Sequence, residues 1–152
     1  GIIVGGGVSR KIKNTTYEFQ LLYIEKGSRD TISDPSDDGY KYKIKLSYLE
    51  VPVFCSWEAY KNISVGVGGS VGFLLQGEEL DQHGNIPGTI DFNKFDVSAL
   101  FEIGYYHSDH LCLFTRFENS IIPMRKHASG AVYLLNRGQY NTVLMLGCKY
   151  TL

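Results

Sequence analysis

Two glycine-rich runs, "GIIVGGG" at 1–7 and "GVGGSVG" at 66–72, are the first places in this chain where a phosphate could be cradled. A dinucleotide fingerprint begun at Gly66 and Gly68 needs glycine or a close substitute where Val71 stands, and a helix must follow it. Neither condition is met, and the first run fails in the same way. "HSDH" at 107–110 brings together His107, Asp109 and His110, residue types that zinc accepts. The run reads as a tight turn between strands, where polar residues are expected without any metal. "SRDTISDPSDDG" supplies Asp30, Asp34, Asp37 and Asp38, oxygen ligands of the kind calcium takes, but their spacing departs from the calcium-loop pattern. A solvated loop accounts for them. Cys55, Cys112 and Cys148 are far apart with no CxxC, and they read as small apolar fillers. A hydrolytic site would draw on Asp81 with His83, or His127 with Ser129, but such a site is recognised by geometry and not by co-occurrence. The expectation is therefore a chain that is not an enzyme, with no catalytic residue, no metal and no cofactor.

The elements around these residues carry more information. Strict alternation recurs through the sequence and predicts strands at about 1–10, 16–27, 41–59, 62–76, 94–107, 110–120 and 138–152, with no amphipathic helix. Pro52 falls inside a predicted strand, and the apolar phase changes from even (Tyr42, Ile44, Leu46, Tyr48) to odd (Leu49, Val51, Val53, Cys55, Trp57) beside it. A β-bulge near Tyr48–Pro52 would reconcile the two. A formal net charge of -1 gives no support to a nucleic-acid footprint. No run is long and apolar enough for a transmembrane helix, but a membrane β-barrel alternates its faces and its hydropathy averages out.

The connections alternate without exception. "KIKNTT", "AYKN" and "HSDH" are short; "SRDTISDPSDDGYK", "GEELDQHGNIPGTIDFN" and "IIPMRKHASGAVYLLNRG" are long. Outer-membrane barrels do this, with tight periplasmic turns and longer extracellular loops. The first and last visible strands then both descend toward the short-turn side, which makes the visible count odd, whereas single-chain bacterial barrels have even counts. The expected fold is all-β, an eight-stranded antiparallel up-and-down transmembrane β-barrel. Residues 1–152 form its single domain, with seven strands present and the first strand missing before Gly1.

The weaker face of each strand points the same way. In "ISVGVGGSVGFLL" (63–75) the odd positions are mostly apolar, and the even ones are largely Gly and Ser. A soluble barrel would show Lys, Glu, Thr and Gln to water there; small residues suit the crowded lumen of a narrow barrel. On this parity Val65, Val67, Val71, Phe73, Phe101, Leu113, Leu144 and Leu146 are expected to face lipid. The lumen is expected to hold Gln20, Lys26, Glu50, Glu102, Arg116, Glu118 and Lys149, in a polar network centred on Glu102, Arg116 and Glu118. Enclosed charges have to be paired or wet. Tyr17, Tyr23, Tyr48, Trp57, Tyr60, Phe73, Phe95, Tyr105, Tyr140 and Tyr150 are candidates for interfacial aromatic belts.

"YEFQLLYIEKGS" followed by "LSYLEVPVFCSWEAYKNISVGVGGSVGFLLQ" resembles the PorT-like outer-membrane β-barrel family. The matching residues are Tyr23, Lys26, Gly27, Tyr48, Leu49, Glu50, Pro52, Gly72, Leu74 and Leu75. "FDVSALFEIGYYH" is similar to the family's Gly-Tyr strand and "YNTVLMLGCKYTL" to its closing strand. Gln20 stands near the place of a family Glu, and the family's usual first strand has no counterpart. The resemblance implies the outer membrane of a Gram-negative bacterium and, for some members, the type IX secretion and gliding apparatus. The reading is a non-enzymatic outer-membrane barrel with a plugged polar lumen, a membrane anchor or a subunit of an envelope or secretion assembly. Its partners would be outer-membrane lipid and other envelope proteins, with no nucleic acid. A soluble β-barrel binding a small apolar ligand, or an outer-membrane enzyme with a rim site, is the alternative.

Overall fold

A computed structural model describes residues 1–29, 43–81, 84–85, 92–125 and 139–152. The strands are β1 (Ile3–Ile12), β2 (Thr15–Arg29), β3 (Lys43–Tyr60), β4 (Ile63–Asp81), β5 (Gly84–Asn85), β6 (Phe95–Tyr106), β7 (Leu111–Ser120) and β8 (Thr142–Tyr150). Seven are long, and β5 is a two-residue stub that pairs with the end of β4. The long strands form one antiparallel sheet in the order β1-β2-β3-β4-β6-β7-β8, so chain neighbours are spatial neighbours throughout. The sheet curls until side chains of β2 meet those of β7 and β8: Lys149 Nζ lies 2.9 Å from Glu18 and Arg116 Nη2 lies 3.0 Å from Gln20. This is a curled, barrel-like all-β fold of seven antiparallel strands.

Tight turns at Lys13–Asn14 and Lys61–Asn62, and the turn at 107–110, lie at one end of the sheet. The strand ends that the long connections join lie at the other, and strand structure extends into the second connection through Asp81 and the stub. Six successive antiparallel pairings separate β1 from β8, so the two edges run in the same direction, and no ladder joins them among the described residues.

The β3–β4 ladder shifts register beside Tyr48, within the expected stretch, but the extra residue is on β4 and not on β3; a second shift lies between Glu58 and Tyr60. Ser47 pairs with Gln76 and Tyr48 with Leu74, so the extra residue is Leu75 on β4. Ser64, Gly66, Ser70 and Gly72 face the interior before it, and Glu79 does so after it, which is the parity change a bulge produces. β3 itself keeps one phase. Ile44, Leu46, Tyr48, Glu50, Pro52, Phe54 and Ser56 are all buried. The apparent slip near Pro52 is a change in what the inner face carries, apolar toward the long loops and mixed toward the short turns. Pro52 acts on the hydrogen-bond ladder instead. The register with β2 runs unshifted from Phe19–Val53 to Leu22–Glu50, but Gln20 and Leu21 form no pair with Pro52 and Val51. A residue without an N–H leaves such a lapse.

Candidate functional site

The interior is the only part of the described structure where charged side chains converge out of water. Its floor is β4, whose small residues leave room for larger neighbours. A Cβ at Gly68 would lie 2.2 Å from the Val53 carbonyl oxygen and 3.1 Å from the Phe54 ring. One at Gly147 on β8 would lie 2.7 Å from Phe114 Cζ. The space is taken by Phe54 and Phe114, and the Arg116 guanidinium lies over both, 4.2 Å and 5.1 Å from their centroids. Cation–π contact of this kind strengthens with desolvation, and Arg116 is buried to 1% exposure.

Arg116 also donates from Nε and Nη2 to Glu102 Oε2 at 2.9 and 2.8 Å, and from Nη2 to Gln20 Oε1. Charge-assisted bonds like these are the stronger class of hydrogen bond. Lys149 donates to the other Glu102 oxygen at 2.5 Å and to Glu18 at 2.9 Å. The Gln20 amide donates to the same Glu18 oxygen at 2.9 Å. Two cations thus face two carboxylates, tying β2, β6, β7 and β8 together.

A second cluster lies further from the short turns. Lys26 pairs in register with Leu46, but its ammonium reaches back past the Tyr48 ring, 5.1 Å from the centroid. There it meets Glu50 at 2.9 Å, Asp96 at 3.2 Å and Glu118. Asn141 donates to Asp96 at 2.9 Å. Toward the long loops the lining turns apolar, with Ile24, Ile44, Leu46, Tyr48, Met124 and Met145 in one buried group. Arg125 pairs there with Glu79 and donates to Gln139 Oε1 at 2.6 Å.

Gln20, Glu50, Glu102, Arg116, Glu118 and Lys149 therefore all lie on the concave side, but in two groups. Glu118 sits with Lys26 and Glu50, whereas Arg116 gathers Glu102, Gln20 and Lys149. Glu18, Asp96 and Asn141 complete the groups without having been singled out, although their strand parity matches that of Gln20, Glu102 and Lys149. Tyr48, expected in an aromatic belt, is fully buried inside, because its even position shares the face of Leu46 and Glu50.

The opposite surface is apolar. Val67, Val71, Phe73, Phe101, Leu113, Leu144 and Leu146 point outward with exposures from 42% to 77%, and Val65 is half-buried on the same side. His107 and His110 sit in the tight turn, where the His110 Nδ1 is 2.9 Å from the Thr151 carbonyl oxygen. Among the described residues no group of three or more His, Cys, Asp or Glu is placed to hold a metal ion. His83, His127, Ser129 and the loop aspartates 30, 34, 37 and 38 lie outside the described residues, and so does the environment of the Asp81 side chain.

A charged interior inside an apolar outer surface, on an antiparallel meander, defines the class of membrane β-barrels. A family model for the outer membrane protein beta-barrel domain matches residues 1–125, so the chain belongs to the outer-membrane β-barrel domain family, and its place is the outer membrane. No curated protein and no solved structure matches the chain.

Proposed function

We propose that this chain is a non-enzymatic, plugged barrel of a Gram-negative outer membrane, serving as an anchor or subunit of an envelope assembly of the PorT-like, type IX kind. The single observation that carries the reading is the filled interior. Arg116 and Lys26, each almost wholly buried, bridge the lumen from β7 and β2 to facing strands. A small barrel filled by its own side chains has no aqueous path. Planar-bilayer recording on the refolded protein tests this. Steady baseline current is expected, and reproducible open-channel conductance would overturn the plugged reading. Affinity purification from native outer membranes tests the assembly role, which fails if no envelope protein is recovered reproducibly. A protein that stays monodisperse without detergent would instead favour the soluble, ligand-binding barrel.

The same reading includes one further strand between β1 and β8. Both edges run in one direction, so a strand antiparallel to each closes the sheet at eight, and open edges are not tolerated in lipid. Amide hydrogen exchange on the protein in native outer membranes should show protection along both β1 and β8; fast exchange along either edge would contradict closure.

A further inference from the structure

The short-turn end carries an unusual pair of residues. Lys13 has φ 56° and Lys61 has φ 39°, the two positive-φ residues other than glycine in the described structure. Each is the first residue of a two-residue turn, and each is followed by asparagine, Asn14 and Asn62. The left-handed region suits glycine, and asparagine after it, because a longer side chain gains no local hydrogen bond there. The backbone alone would place Gly or Asn at these positions. Lysine stands there twice, which points to its charge.

The surroundings point the same way. Both lysines are exposed, and Arg10 is exposed near the end of β1. Among the described residues no carboxylate pairs with Arg10, Lys13 or Lys61, whereas the neighbouring Lys11 is tied to Glu58 at 2.7 Å. Exposed aromatics occupy the outer surface at the same end: Tyr17, Trp57, Tyr60, Tyr105 and Tyr150. Lys61 Nζ lies 5.5 Å from the Tyr60 ring centroid. Tyrosine and tryptophan prefer the headgroup level of a membrane, one edge in hydrocarbon and the other in water. Cations just beyond such a belt lie among lipid headgroups.

We propose that the short-turn rim is a binding surface for anionic phospholipid headgroups, with Lys13 and Lys61 as its principal contacts. The proposal rests on the membrane-spanning reading above. The aromatics beside the lysines favour a lipid boundary over a soluble partner, which would have no use for a ring of outward tyrosines continuous with the apolar wall. Clustered lysines near an anionic surface contribute about fivefold enrichment each, and salt screens the effect.

Trp57, the single tryptophan, stands at this rim and reports on it directly. The full chain is refolded into mixed phosphatidylglycerol and phosphatidylcholine vesicles of fixed composition, with bromine carried on one lipid or the other. Brominated phosphatidylglycerol should quench Trp57 several-fold more effectively, and high salt should reduce the difference. Lys13→Asn with Lys61→Asn should equalise the two lipids. That double variant folds at least as well as the parent, because asparagine takes the left-handed backbone more easily. Equal quenching in the parent, or a preference that survives the double substitution, would overturn the proposal. Quenching by neither lipid would overturn the membrane reading itself, so the two failures are distinct.

Discussion

Arg116 shows how a glycine on one strand becomes a constraint on the whole interior. Gly147 gives Phe114 its place, Gly68 gives Phe54 its place, and the two rings hold the guanidinium against Glu102. Removing one member of a buried ion pair leaves the other charge stranded, at a cost of about 3–5 kcal/mol. Glu102 keeps Lys149 as a partner, so Arg116→Met should lower stability by less than that full amount in urea unfolding followed by Trp57 fluorescence. Adding Glu102→Gln should recover part of the loss; a double variant worse than the sum of both singles would argue against the pairing. Gly147→Val should also destabilise, since its side chain needs the volume that Phe114 fills. An unchanged unfolding midpoint would mean that the ring has other room.

At the scale of the element, much was legible in the sequence and the rest failed for identifiable reasons. Period-two alternation locates all seven long strands, because every one except β1, an edge strand exposed along nearly its whole length, separates an inner face from an exposed one. The pattern points to an extra residue on β3, whereas it is on β4 opposite Tyr48, because apolar character does not mark one face here. In β3 both faces are apolar near Tyr48, the inner one through Ile44 and Leu46 and the outer one through Leu49 and Val51, so composition alone shows a phase slip that the backbone does not make. The slip itself, at Leu75, lies between Leu74 and Gln76, and two adjacent leucines do not show which of them faces inward. Parity placed the lumen charges, but it could not pair them. Lys26 finds Glu118 by reaching back across the curl, a distance that no count along the sequence contains. Deleting Leu75 should remove the bulge while leaving Gly77 and Glu79 on the inner face and Glu79 beside Arg125, because Leu74 and Gln76 already pair with consecutive residues of β3. A retained heat-modifiable folded band on a gel is the expected result, and its loss would contradict the register.

The molecule as a whole inverts the usual order of a soluble domain. Ion pairs fill the middle, and Val, Phe and Leu side chains form the outside. That arrangement is stable only where the solvent is hydrocarbon. It also gives "GVGGSVG" an architectural role: its even residues make interior space for Phe54, Tyr48 and Asp96, and its valines form part of the wall. The most direct measurement of the central claim uses nitroxide labels on a variant with Cys55, Cys112 and Cys148 replaced. Single cysteines at Val67, Val71, Phe101, Leu113 and Leu144 are labelled after reconstitution into vesicles, with Asn14 as the water-exposed control. All five wall positions should relax readily with oxygen and resist a polar nickel reagent, while Asn14 responds to nickel. Nickel access at the wall positions equal to that at Asn14 would place this surface in water and contradict the account.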